Sequence, residues 1–258
     1  MSEASTDSIA LDIEGGIATV TLNRPQVRNS IDLATARRLS EVVEQIERDP
    51  QVRVGIITGA GGIAFCAGAD LQARARGEAR ASFPPHGFAG FVRRQRSKPF
   101  IAAVNGYAVG GGLEIAMACE LVVAAPNAVF SLPEPLRGLI AGGDCLPSVL
   151  SRLPKAIAWD MALTCRRLSA DEALLYGMVN AVSPQVLDAA KAMARRVVAG
   201  APGAITGTMR LLQALLAATP AGYDELTEST QGRLFATEDA QEGSRAFLEK
   251  REPVWTGA

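Results

Sequence analysis

Histidine is almost absent. The chain of 258 residues has one, His86, within Phe83-Pro84-Pro85-His86-Gly87. A loop rich in proline and glycine is an ordinary place for a solvated imidazole, so a Ser-His-Asp triad and a multi-histidine metal site both lack their central residue. Cysteine is sparse too. Cys66, Cys119, Cys145 and Cys165 lie far apart with no Cys-x-x-Cys pair, as expected of reduced core or pocket thiols. Net charge is close to nil, at -1, which removes the electrostatic case for nucleic acid as the main ligand. No apolar run reaches membrane-spanning length, and the first residues lack the basic-then-apolar pattern of a targeting signal. These absences predict a cytoplasmic protein with no metal, no nucleic acid and no membrane as partner. With 48% hydrophobic and 21% charged residues, the rest is a globular profile, long enough for one large domain or two small ones.

Period-two and helical patterns alternate along the chain. Leu11 to Ile13 and Ile17 to Leu22 read as strands joined through Glu14-Gly15-Gly16. Asp32 reads as the N-cap of a helix to about Arg48, with Leu39, Val42, Val43 and Ile46 at helical spacing. Val54 to Thr58, Pro99 to Val104 and Leu121 to Ala124 read as short buried strands, and residues 72–90 as a mobile loop or loose helix. Strands alternating with helices predict an α/β sheet with crossover connections. The last third reads as helical. Ser169-x-x-Glu172 is a capping box, and Gly177 is placed to end its helix. Ser183-Pro184 opens a helix with Ala190, Met193, Ala194 and Val197 on one face. Ile205, Met209, Leu212 and Leu216 mark another, and Tyr223 to Lys250 a further helical stretch. The sequence shows no internal repeat.

Chemistry concentrates in Ile101 to Glu114, where an apolar strand meets Gly110-Gly111-Gly112 and then an acid. Glycine permits close backbone approach. The amides of a helix N-terminus have no internal partners, so the segment reads as a socket for an oxyanion. Glu114, within one turn of that socket, reads as a proton-handling group. Phe65-Cys66-Ala67-Gly68-Ala69-Asp70-Leu71 is a second small-residue segment after a buried strand. Tight packing alone accounts for either segment; together they read as two donors of one oxyanion hole. Gly59-x-Gly61-x-x-Ala64 matches a dinucleotide fingerprint formally, yet Gly68 breaks the helix that such a site needs. Pro133-Glu134-Pro135 holds a second acid on stiff backbone, open to reading as a surface turn.

These segments resemble the crotonase, or enoyl-CoA hydratase/isomerase, superfamily nearly end to end. Leu22-Asn23-Arg24-Pro25 with Asn29 is similar to its opening motif, Phe65 to Leu71 and Ile101 to Glu114 to its two oxyanion segments, and Pro133-Glu134 to its second acid. Glu242 to Arg251 is similar to its tail. The resemblance implies a ClpP/crotonase-like spiral of ββα units over residues 1–200. It also implies a helical lid and assembly region over 201–258, forming a homotrimer or dimer of trimers. It implies an acyl-CoA thioester substrate, with no cofactor beyond the coenzyme A of the substrate itself. Ala69 and Gly111 would supply the oxyanion-hole amides. Glu114 would activate water and Glu134 protonate Cα. Arg28, Ala67, Ala69, Asp70, Leu71, Gln72, Gly110 and Gly111 would line the coenzyme A path. Lys250 and Arg251 would reach a neighbouring subunit's ligand. Both acids together favour hydration; a carnitinyl-CoA-type dehydratase, an isomerase using Glu134 alone, and a non-catalytic acyl-CoA- or RNA-binding relative are the alternatives. One departure stands out. Ala141-Gly142-Gly143-Asp144-Cys145 replaces the family's usual proline-small-glycine-glycine turn. It makes Asp144 and Cys145 substrate-pocket candidates, with Asp144 open to readings as a recogniser of a cationic or hydroxylated acyl group, a third acid, or a loop-stabilising carboxylate.

Overall fold

β1 (Ile9–Glu14) and β2 (Ile17–Leu22) pair antiparallel, turning through Gly15 and Gly16. Both glycines sit at positive φ, 56° and 81°, the conformation that a tight hairpin demands. The computed structural model describes residues 7–142, 145–216, 232, 236–251 and 253–254. Helix α1 (Leu33–Arg48) is capped by Asp32, whose carboxylate accepts from the Thr35 amide at 2.8 Å. Its expected apolar stripe, Leu39, Val42, Val43 and Ile46, is fully buried.

Next, a strand–strand–helix unit recurs. β3 (Val54–Gly59) leads to β4 (Ala64–Cys66) and α2 (Leu71–Ala75). After the small hairpin of β5 (Ser82–Phe83) and β6 (Gly87–Phe88), β7 (Phe100–Val104) leads to β8 (Tyr107–Val109) and α3 (Gly111–Ala118). Finally β9 (Leu121–Ala124) leads to β10 (Val129–Ser131) and a single 3-10 turn, Glu134–Arg137. The first strand of each unit joins one sheet, ordered β1-β2-β3-β7-β9-β12, where β12 is Ala181–Val182. The second strands build another, ordered β11-β10-β8-β4, where β11 is Leu168–Ser169. The repetition is structural; the sequence hides it because each unit ends differently.

Both faces of the larger sheet are covered at its centre, so β3 and β7 are buried on both sides. Ile57, Ala102, Val104 and Val122 pack toward Phe65, Ala108 and Phe130 in the main core. Val54, Ile56, Ile101 and Ala103 pack against Ala190 and Ala194 of α7 (Val186–Val198). This helix starts two residues beyond the expected Pro184, because the Ser183 hydroxyl accepts from the Gln185 amide and holds a turn there. The capping box forms as expected at the head of α6 (Ala170–Leu175), and Gly177 takes a positive φ just after it. Residues 72–90 are more ordered than expected. Asp70 caps α2, and Ala89 and Phe91, both fully buried, pin the β5–β6 hairpin to the core.

Helices α4 (Cys145–Arg152) and α5 (Lys155–Thr164) follow the 3-10 turn. In α8 (Pro202–Leu216) Met209 is buried, whereas Leu212 faces out. α9 (Glu238–Glu249) supplies the described part of the expected terminal helix; the remainder of that expectation, from Tyr223, lies outside the described residues save 232, 236 and 237.

Candidate active site

The smaller sheet aims three chain segments at one place. β4 pairs parallel with β8 (Ala64 opposite Tyr107, Cys66 opposite Ala108). β8 pairs parallel with β10 (Phe130 opposite Ala108, Ser131 opposite Val109). Parallel neighbours end at the same edge, here despite an irregularity between Ala64 and Cys66 of β4. The chain therefore leaves β4 through Ala67-Gly68-Ala69, β8 through the triple glycine and β10 through Pro133-Glu134, side by side.

Glycine is required here for packing as much as for ligand approach. Gly68 has φ +86°, and a Cβ on it would stand 2.9 Å from the Gly111 nitrogen and from the Val109 oxygen. A Cβ on Gly112 would lie 1.9 Å from the Cys66 carbonyl oxygen, and one on Gly111 would lie 2.4 Å from the Phe88 ring. Gly110 has φ +55°, and its Cβ would meet Glu134 Oε1 at 2.8 Å. The two oxyanion segments thus touch, and the second acid touches the helix start. Among the described residues, neither the Ala69 nor the Gly111 amide donates to a main-chain acceptor.

A scaffold behind Ala69 holds it in place. The Ile31 amide donates to the Gly68 oxygen at 2.8 Å, and the Asp70 amide to the Ile31 oxygen at 2.9 Å. Asn29 donates to the Ala60 and Ala64 carbonyls and accepts from the Arg24 amide. Arg24 pairs with Asp32 at 3.0 Å and with Asp70 at 3.1 Å. Asp70 is buried, and its other oxygen accepts from the Gln72 and Ala73 amides. Its carboxylate is therefore committed to the scaffold, although the residue borders the cavity. Arg28 does two things: its carbonyl accepts from the Ala67 amide at 3.0 Å, and its exposed side chain stands at the cavity rim.

The cavity measures about 940 Å³. Its walls include Ala67, Ala69, Leu71, Gln72, Gly110 and Gly111, and both Glu114 and Glu134 face it. Glu114 is 7% exposed, on the first turn of α3. Burial pushes the Glu134 carboxyl up to about 7, against the weaker opposing pull of its own amide and of Arg137. Glu134 Oε2 is buried with no hydrogen-bond partner. A carboxyl whose neutral form burial favours, on the same cavity as a second carboxyl, is an arrangement suited to acid–base chemistry.

Two expectations change. Cys145 is fully buried in the main core and does not border the cavity, because α4 turns its first residue inward. Asp144 lies outside the described residues. Lys250, expected to reach a neighbouring subunit, lines the cavity of its own chain, while Arg251 pairs with Glu242 and Glu249. Several wall residues receive no role from the sequence, among them Phe88, Arg137 and Phe247. Only Arg137 had a legible signal. It follows Glu134 by three residues, one 3-10 turn, and so shares its face.

Two sheets wound from ββα units thus bring the Ala69 and Gly111 backbone and two carboxyls to one cavity. The sequence matches the family model for enoyl-CoA hydratase/isomerase over residues 12–258. It is 41% identical to a carnitinyl-CoA dehydratase of Salmonella paratyphi B, over 98% of this chain and 99% of that protein. Among solved structures it is similar to a carnitinyl-CoA hydratase from Mycobacterium avium (TM-score 0.92, 40% identity, 97% of this chain and 99% of that one). An enoyl-CoA hydratase from Mycobacterium marinum is also similar (TM-score 0.78, 41% identity, 97% and 99%). The chain belongs to the enoyl-CoA hydratase/isomerase family, the crotonase superfamily.

Proposed function

We propose that the protein is a hydro-lyase that adds water reversibly, in syn fashion, to a 2-enoyl-CoA thioester. The observation that supports this most is the pairing of Glu114 and Glu134 on the cavity that also receives the Ala69 and Gly111 backbone. In the hydration direction, Glu114 takes a proton from water and the hydroxyl attacks Cβ. Negative charge gathers on the thioester oxygen, between the Ala69 and Gly111 amides. Losing one such donor typically costs about 3–4 kcal/mol of transition-state stabilisation. Glu134 then delivers its proton to Cα, and the reverse sequence expels water. Arg28, Leu71 and Gln72 stand along the rim from Ala69, where the coenzyme A portion would run.

A dehydratase for a specialised acyl group is the second reading, favoured by the names of the relatives above. A one-base isomerase would need only Glu134, and a binding protein would need neither acid. Glu114→Gln separates these. Hydration, followed as loss of conjugated-thioester absorbance, is expected to fall about 10²–10⁴-fold, the usual worth of a positioned base. A variant that hydrates at the wild-type rate would remove Glu114 from the reaction.

A further inference from the structure

Several charged wall residues take no part in the hydration chemistry, and Arg137 is the one beside Glu134. Arg137 ends the 3-10 turn that begins at Glu134 and borders the same cavity. Its Nε is buried with no hydrogen-bond partner. Among the described residues, no carboxylate stands within ion-pair distance of its guanidinium. It stacks on the Phe247 ring of α9, 4.5 Å from the guanidinium carbon. Burial draws its pKa down, yet a guanidinium stays protonated in any protein setting. A partly desolvated cation gains from an anion placed beside it. Glu134 interacts with it electrostatically, but burial opposes ionisation of that carboxyl.

The place of this cation fixes what it meets. Glu134 handles the α-carbon in the proposed reaction, and Arg137 borders the same cavity one 3-10 turn further on, within reach of the acyl portion. Leu139 and Ile140 follow on the same wall and offer apolar sides for methylenes. An alkyl tail would offer Arg137 no anion. A trimethylammonium tail would meet like charge, and the Phe247 face that would otherwise welcome it is already covered by the guanidinium.

We propose that Arg137 receives a carboxylate at the far end of the acyl group, so that the preferred substrate is the coenzyme A monothioester of an unsaturated dicarboxylic acid. The assignment rests on the hydratase reading given above. It concerns specificity: Arg137 would bind the substrate's tail and take no part in proton transfer.

The test compares three thioesters on the full chain: the four-carbon 2-enoyl compound, its analogue ending in a carboxylate, and its analogue ending in trimethylammonium. Wild type is expected to give the highest kcat/KM with the carboxylate and the lowest with the ammonium. In Arg137→Leu, the kcat/KM ratio of carboxylate to plain enoyl substrate is expected to fall about 100-fold, as when one member of a buried charge pair is truncated. Arg137→Lys should recover part of it. Any effect transmitted through Glu134 alters all three substrates alike and cancels in the ratio. A wild type that prefers the ammonium or shows no preference for the carboxylate overturns the inference alone, as does an unmoved ratio in the leucine variant. Absence of turnover with all three, the plain enoyl thioester included, overturns the hydratase reading and the inference with it.

Discussion

At Glu134 the protein keeps a carboxyl where its charge is disfavoured, and pH reads this out in two ways. As a proton donor the group works below its folded pKa of about 7. Hydration kcat/KM is expected to decline as pH rises through 7, and that alkaline limb is expected to vanish in Glu134→Gln, on top of a large loss of rate. A limb unchanged in that variant would assign it to another group. Stability follows the same titration. Unfolding returns the carboxyl to an ordinary value near 4.5. Between 4.5 and 7 the folded state therefore binds more protons than the unfolded one, and stability falls as pH rises across that window. Both glutamates were legible in the sequence, because glycine before Glu114 and proline beside Glu134 set each in a distinctive backbone. For Arg137 the spacing from Glu134 was legible but the burial was not, since a surface arginine and a half-buried one look alike until the residues above them are known. Phe88 and Phe247 were hidden for the same reason: their partners come from remote parts of the chain.

At the scale of elements, the short α2 matters more than its five residues suggest. Asp70 joins two tasks there, capping α2 and pairing with Arg24. Asp70→Ala is expected to destabilise the protein by about 1–3 kcal/mol in urea unfolding, from the lost cap and the stranded arginine. It should also lower kcat through displacement of the adjacent Ala69 amide. Full activity in a destabilised variant would separate the cap from the oxyanion segment. The strands, α1 and the Ser169–Glu172 cap were legible because local signals decide them: hydrophobic period, a capping carboxylate, a turn glycine. The β5–β6 hairpin was misread as loose, since its order comes from tertiary burial of Ala89 and Phe91 and leaves no periodic trace in a stretch of Arg, Gly and Pro.

At the scale of the molecule, the last helix closes on the first two-thirds of the chain. Phe247, Leu248 and Lys250 reach the cavity wall, and Gly243 packs so tightly on Arg137 that a Cβ would stand 2.2 Å from its carbonyl oxygen. Glu242 secures this closure. Its carboxylate, shielded to 9% exposure, accepts from Arg245, Arg251 and the Val254 amide. Those donors hold its pKa far below the ordinary carboxylate range. Glu242→Ala is expected to raise KM for thioesters several-fold and to make the tail an early site of limited proteolysis. A tail as protease-resistant as wild type would show the clamp to be dispensable. The ββα winding itself was reached through motif resemblance alone, since nothing in the residue pattern reveals that alternate strands belong to different sheets.

The ladder joining β4, β8 and β10 gives the reaction centre an address written in main-chain hydrogen bonds, while the hairpin and the final helix decorate it from outside. What the enzyme does and what it prefers are thereby inherited separately: drift in the outer pieces can change its diet across generations without disturbing its craft.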